Sequence, residues 1–163
     1  MVPVQRPLQI GDKAPDFTLL DQHGQEVRLS SFAGEKAVLL VFYPYAFTGV
    51  CTGELTGFRD HLGDFETEDT TLLALSCDSI FTQRAFADRD GIFFPLLSDF
   101  WPHGAVASAY GVLDETEGCA SRSSFVIDKD GVVQWVLHSE RGEARDLDEQ
   151  AARLQATRQQ DRG

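Results

Sequence analysis

The stretch Pro44-Tyr45-Ala46-Phe47-Thr48-Gly49-Val50-Cys51 follows directly on the run Ala37-Val38-Leu39-Leu40-Val41-Phe42-Tyr43, and the way the two meet decides the fold. An unbroken apolar run rich in Val, Leu and aromatics is what a central strand covered on both faces requires. Pro44 has no backbone N–H to give to a ladder, so the strand stops there. Beyond the loop 45–50, Leu55, Phe58, Leu62 and Phe65 recur at intervals of three, four and three, which is one face of a helix. That helix starts near Cys51, so the cysteine stands where a buried strand hands over to a helix.

Working outward toward the N-terminus, Phe17 to Leu20 and Val27 to Leu29 flank the polar Asp21-Gln22-His23-Gly24 and read as a hairpin attached to the main sheet. In the other direction, Leu72 to Cys77 is a second short buried strand, followed by a helix from Ser79 to about Arg89 with Ser79 as its N-cap. Gly104 to Tyr110 makes a short helix after the Trp101-Pro102 break. Ser124 to Ile127 and Val132 to Leu137 make a hairpin around Asp128-Lys129-Asp130-Gly131. Leu147, Ala151 and Leu154 are in step for a weak terminal helix over about 145–159. With no low-complexity linker and no repeat, residues 1–163 read as one domain with a core over about 8–140. This order predicts an α/β chain: a central mixed β-sheet flanked by helices, with an N-terminal β-hairpin, as in thioredoxin-like folds.

Composition bounds the function. A chain of 163 residues buries on the order of 70% of its unfolded surface, enough for a core without metal or disulfide staples. The net charge of -12 and pI of about 4.6 favour solubility and repel phosphates, which argues against nucleic acid and anionic membranes as partners. Met1 to Ile10 holds no apolar run of signal-peptide length, and no stretch reaches the length of a membrane span. Cys51, Cys77 and Cys119 are odd in number and irregular in spacing, unlike a disulfide framework, and such thiols suit a reducing cytosol.

The chemistry concentrates at Cys51. Free backbone N–H groups and the positive end of the helix dipole favour negative charge in a helix's first turn, so a thiol there gives up its proton more readily. Thr48, three residues earlier, can turn its hydroxyl toward Cys51, and Pro44 can stiffen the loop and screen the sulfur from water. Taken singly these residues have plain readings: a buried inert thiol, a helix cap and a strand terminator.

Together, Pro44, Thr48 and Cys51 meet the P-x-x-x-T-x-x-C pattern, which resembles the active-site motif of the peroxiredoxins of the AhpC/TSA type. Ala14-Pro15-Asp16-Phe17, Val41-Phe42-Tyr43-Pro44, Phe94-Pro95-Leu96-Leu97-Ser98-Asp99 and Ala109-Tyr110-Gly111-Val112 resemble the family elsewhere, over about Gly11 to His138. Asp99-Phe100-Trp101-Pro102-His103-Gly104 is most similar to the one-cysteine alkyl hydroperoxide reductase E subfamily. The resemblance implies an arginine beside the sulfur, matched by Arg122 in Ser121-Arg122-Ser123-Ser124, and a glutamate at Glu54 that orients it. The plain alternatives are an exposed arginine and a first-turn helix acid. It also implies that Trp101, whose plain reading is core filler, lies near the substrate pocket; Tyr45 and Phe47, apolar residues of the loop before Cys51, are further pocket candidates that lean toward organic hydroperoxides.

Peroxiredoxins need no metal or other cofactor: the cysteine attacks a hydroperoxide and becomes a sulfenic acid. Its acidity alone explains little, because a free thiol is already roughly 3% ionised at neutral pH and full ionisation gains at most about 30-fold. The remaining acceleration falls to Thr48, the Cys51 N–H and Arg122, which align the O–O bond and stabilise the leaving oxygen. No resolving cysteine stands at position 56, which is Thr56, nor near the C-terminus. Cys77 ends an apolar strand and reads as a buried thiol, whereas Cys119 follows the polar Asp114-Glu115-Thr116-Glu117-Gly118 and is the candidate for a resolving role.

The working expectation is a one-cysteine peroxidase of hydrogen peroxide and organic hydroperoxides. The resemblance implies an external thiol reductant (mycoredoxin with mycothiol, a glutaredoxin-like protein or thioredoxin) and a homodimer, and the free thiols suit a cytoplasmic setting. A two-cysteine mechanism through Cys119 or Cys77, and a redox sensor or chaperone without efficient turnover, are the alternatives. A dithiol oxidoreductase is disfavoured, because Cys51-Thr52-Gly53-Glu54 lacks the second thiol of C-x-x-C.

Overall fold

The computed structural model of the protein describes residues 6–161. Met1 to Gln5, part of the N-terminal segment read above for a leader signal, lie outside the described residues. The elements run β1 (Thr18–Leu20), β2 (Glu26–Arg28), β3 (Ala37–Phe42), α1 (Gly49–Asp60), β4 (Thr70–Ser76), α2 (Ile80–Asp90), β5 (Leu96–Ser98), α3 (Ala105–Ala109), β6 (Leu113–Asp114), β7 (Cys119–Ala120), β8 (Ser123–Ile127), β9 (Val133–His138) and α4 (Leu147–Asp161).

Seven strands form one sheet in the order β2-β1-β5-β4-β3-β8-β9, and β6 and β7 form a separate hairpin. β3, β4 and β5 are parallel; β8 runs antiparallel to β3, and β1 antiparallel to β5. This is the thioredoxin-like mixed sheet expected from the sequence, with the N-terminal hairpin joined to the sheet edge through Leu20 and Ser98. Alternation along β3 shows why its run is wholly apolar. Leu39, Val41 and Tyr43 pack with Leu55, Phe58, Phe86 and Leu154 of α1, α2 and α4, while Val38, Leu40 and Phe42 pack with Phe17, Ala107, Tyr110 and Phe125 on the other face.

Several boundaries differ from the sequence reading. α1 begins two residues before Cys51, at Gly49, and stops at Asp60; Leu62 lies in a 3-10 turn, Leu62–Asp64. Phe65 nevertheless reaches the same core, its ring 4.9 Å from that of Phe58, because the tighter turn carries the apolar face onward. Leu29 belongs to a 3-10 turn rather than to β2. β4 starts at Thr70, ahead of its apolar run, since Thr70 satisfies its hydroxyl on the Phe65 carbonyl at 2.7 Å. α2 is capped as expected: Ser79 accepts from the Thr82 N–H at 3.2 Å, and Gly91 ends the helix at φ 65.

The register places the chemistry. Because β3, β4 and β5 run together, the loops after Phe42, Ser76 and Ser98 leave the sheet at one end. β8 begins at that end, with Ser123 opposite Phe42, so Arg122 emerges beside the loop that leads to Cys51.

Candidate active site

Cys51 is the third residue of α1 and fully buried, with Thr48 at the N-cap position and Pro44 buried behind it. The loop over the sulfur is tied to the sheet: the Ala46 N–H donates to Asp78 Oδ2 at 2.8 Å, and the Ser76 hydroxyl donates to the same oxygen at 2.6 Å. Behind it, the Tyr43 hydroxyl donates to Gln83 Oε1, and Gln83 Nε2 donates to Ser76 Oγ and to the Leu97 carbonyl at 2.8 and 3.1 Å. Every member of this buried chain is partnered, so the loop has a fixed floor.

Arg122 meets the sulfur. Its Nη2 lies 3.4 Å from Cys51 Sγ and also donates to the Arg141 carbonyl at 2.8 Å, while Nε donates to that carbonyl at 3.1 Å. Its Nη1 is paired with Glu54 Oε1, and the residue is 3% exposed. The plain reading of Arg122 as a surface arginine is therefore set aside, and Glu54 holds Arg122 through the ion pair that the resemblance implied.

A residue that the sequence reading missed completes the cluster. Arg145, in the loop before α4, donates from its backbone N–H and Nε to Glu54 Oε2 at 2.7 and 2.9 Å, and from Nη2 to Oε1 at 3.0 Å. Its Nη1 donates to the carbonyls of Phe42 and Ser123, each at 2.7 Å, clamping the ends of β3 and β8. Two guanidinium groups thus share one carboxylate next to the thiol.

Burial pushes the Glu54 carboxyl up, but the hydrogen bonds and charge of Arg145, together with Arg122, outweigh it and hold the group below the ordinary glutamate range. The stabilisation it confers is full above the ordinary glutamate value, about 4.3, and is lost as pH falls through the depressed folded value. Glu54→Gln should therefore show a flatter loss of stability in denaturant titrations between neutral pH and roughly pH 3 than the native protein. At neutral pH it should be less stable by about 2 kcal/mol, the scale of hydrogen bonds to charged groups. Equal acid sensitivity in the two proteins would remove Glu54 as its source.

Other expected site residues are placed differently. The Thr48 hydroxyl does not point to Cys51: it donates to the Tyr45 carbonyl at 2.8 Å, closing the tight turn in which Phe47 adopts φ 68. Tyr45 donates through its hydroxyl to the Glu117 carbonyl at 2.8 Å. Phe47 is half exposed, its ring 5.2 Å from Phe86 and under the Arg89 guanidinium at 4.7 Å. Trp101 is 82% exposed, so it is not core filler. It lines a groove of about 350 Å³ with Phe17, Pro102 and Tyr110, whose walls include none of Cys51, Thr48 and Arg122.

All three cysteines are free and buried. Burial, with Asp99 nearby, pushes the Cys77 thiol up to about 12. Cys119 is not displayed on a polar loop; it sits on β7 facing inward, where burial raises its thiol and Arg141 Nη2 approaches Sγ at 3.3 Å. Among the described residues no cluster of His, Cys, Asp and Glu could hold a metal ion, and no helix is long and apolar enough to cross a membrane.

Comparison with known proteins bears on the family and the fold. The model of the AhpC/TSA family matches residues 10–136. Alkyl hydroperoxide reductase E of Mycobacterium tuberculosis is 51% identical over 139 residues, covering 85% of this chain and 91% of that protein. The chloroplastic 2-Cys peroxiredoxin BAS1 of Arabidopsis thaliana is 38% identical over 157 residues, covering 90% of this chain and 58% of its own length. Among solved structures, peroxidoxin BcpB from Mycobacterium tuberculosis superposes with a TM-score of 0.82 at 36% identity, covering 91% of this chain and 97% of the other. The reduced 2-Cys peroxiredoxin of Plasmodium vivax does so with a TM-score of 0.84 at 30% identity, covering 96% and 85%.

Proposed function

This chain belongs to the AhpC/TSA family of peroxiredoxin peroxidases, and on that premise we propose that it reduces hydrogen peroxide and organic hydroperoxides by a one-cysteine mechanism at Cys51. The observation that carries the assignment is the Arg122 guanidinium 3.4 Å from Cys51 Sγ, fixed on its other sides by Glu54 and the Arg141 carbonyl. Two guanidiniums against one carboxylate leave a buried positive charge that a Cys51 thiolate balances.

The thiolate attacks one peroxide oxygen. An S–O bond forms, the O–O bond breaks, and the departing oxygen takes a proton to leave as water or an alcohol. Arg122, already paired and immobile, stabilises the charge on that oxygen without reorganising during the reaction. Thr48 needs only a turn about its side chain to exchange the Tyr45 carbonyl for the peroxide. Phe47 and Tyr45, on the loop over the sulfur, form the apolar side of the approach. Since Cys51 is fully buried, substrate and reductant both reach it past this loop, whose Phe47-Thr48-Gly49 tip is exposed.

An external thiol then condenses with the sulfenic acid, releasing water, and a second thiol frees Cys51 as the disulfide leaves. A low-molecular-weight thiol with a glutaredoxin-like protein, of which mycothiol with mycoredoxin is one pairing, or thioredoxin, fills this role in a cytoplasmic setting. What favours it over internal resolution is the state of the other thiols: Cys77 is buried and held protonated, and Cys119 is turned toward Arg141. We also assign the chain as a single domain that forms a homodimer. Phe47, Phe81, Phe100 and Trp101 stand exposed on or next to the loops at the active-site end of the sheet, an apolar surface suited to pairing.

A test is trapping. Native protein mixed with substoichiometric hydrogen peroxide and a sulfenic acid probe should carry the adduct on the Cys51 peptide in mass spectra. Label appearing first on Cys119 or Cys77 would overturn the assignment. The same sample should sediment as a dimer before oxidation, and a purely monomeric profile would remove that part of the reading.

A further inference from the structure

Resting on the assignment of Cys51 and Arg122 above, we infer that Arg141 is a positioning residue for the peroxide step, anchoring Arg122 through its own backbone while its side chain grips the β6–β7 hairpin. Arg122 has three supports, and two of its bonds, from Nε at 3.1 Å and Nη2 at 2.8 Å, end on one atom, the Arg141 carbonyl oxygen. That Nη2 is the group that reaches Cys51 Sγ. A shift of Arg141 therefore moves the very N–H that faces the sulfur.

A carbonyl in a loop is a poor anchor unless the loop is held. The segment between β9 and α4 is pinned at its far end by Arg145, buried on Glu54. At the near end the Ser139 N–H donates to the Arg122 carbonyl at 2.9 Å, and Arg141, two residues further on, has a side chain that is 48% exposed. What holds it is polar: Nη2 donates to Asp114 Oδ2 at 3.0 Å and to Cys119 Sγ at 3.3 Å, and Nη1 lies 3.8 Å from Glu117 Oε2.

The hairpin is a stiff partner for such a grip. Asp114 uses its other oxygen to accept the N–H groups of Thr116 and Glu117 at 3.0 and 3.1 Å, so one carboxylate builds the turn and holds the arginine. His103 Nε2 bonds the Gly118 carbonyl at 2.6 Å, and the Tyr45 hydroxyl donates to the Glu117 carbonyl. The hairpin thereby touches the site twice, at the loop over Cys51 and, through Arg141, at Arg122. A polar cleft of about 270 Å³ is lined by Asp114, Glu117, Arg122, Glu140 and Arg141, so the grip borders open space rather than packed core.

The test is the rate of Cys51 sulfenic acid formation with hydrogen peroxide in the full-length protein, for the native chain, Arg141→Ala, Arg141→Lys, Arg122→Ala and the Arg122→Ala/Arg141→Ala double variant. Arg141→Ala should be slower by roughly tenfold, well within what a misplacement of about an ångström can cost. Arg141→Lys keeps a cation for Asp114 and Glu117 and should recover most of that loss. The double variant should react no more slowly than Arg122→Ala alone, because a residue acting only through Arg122 has nothing left to position. Native rate in Arg141→Ala, no recovery in Arg141→Lys, or an additive loss in the double variant would each overturn the inference. Failure of the underlying assignment shows separately, as sulfenic acid formed elsewhere while Cys51 stays reduced.

Discussion

Cys51→Ser should lose hydroperoxide reduction by more than about 10³-fold, a barrier increase of at least roughly 4 kcal/mol. The exchange swaps one atom for another of similar size at a fully buried position, so the helix start and its arginine neighbours stay in place. What disappears is the nucleophile: among the described residues the side chain hydrogen-bonded at this position is the permanently charged Arg122, which cannot take a proton from a serine hydroxyl. Cys77→Ser and Cys119→Ser should keep turnover with an external dithiol, because neither sulfur takes part in the proposed cycle. Peroxide consumption followed optically in all three variants, with far-ultraviolet dichroism as a check on folding, reads the result. Near-native consumption in Cys51→Ser would sink the mechanism, and loss of turnover in Cys119→Ser alone would replace external resolution by an internal one.

What the sequence could convey, and what it could not, follows from the range of the interactions. The β3 run and the cysteine after it were legible because a doubly covered strand must be apolar throughout and a helix must repeat its apolar face. The placement of Arg122 was reachable only through the family likeness. Its cause is the antiparallel pairing of Phe42 with Ser123, a long-range register with no local signature.

Arg145 was invisible for a related reason: it lies in a polar loop beside exposed residues, and nothing in Arg-Gly-Glu-Ala-Arg marks which arginine is buried. Cys119 follows the polar Asp114 to Gly118, yet it opens a two-residue strand and its thiol is buried, which the polar neighbours do not signal. Thr48 carries the right atom at the right offset, but the Tyr45 carbonyl, only three residues away, is the nearer acceptor. Trp101 is exposed rather than core, which its apolar ring does not signal in the sequence.

Arg122→Ala should slow the reaction of Cys51 with hydrogen peroxide by roughly 10²–10³-fold, the loss seen when a preorganised donor to a developing oxyanion is removed. The geometry argues for that range rather than a smaller one. Among the described residues Nη2 is the one side-chain donor bonded to the sulfur, and it comes from a group whose other bonds are already made, so no rearrangement cost is deferred to the reaction. The fold should survive, because Glu54 keeps three hydrogen bonds from Arg145 and is not left as an uncompensated buried charge.

Arg122→Lys separates charge from shape. An ammonium supplies the positive charge but lacks the planar fork that addresses Glu54, the Arg141 carbonyl and the sulfur at once, so its rate should fall between those of the native protein and Arg122→Ala. Stopped-flow measurement of Cys51 oxidation under single-turnover conditions gives all three rates without interference from the reductant. If Arg122→Ala reacted as fast as the native protein, stabilisation of the leaving oxygen would have to come from the backbone N–H groups of the α1 terminus and from Thr48 alone, and the Glu54–Arg145 cluster would be a purely structural clamp between β3, β8 and α1.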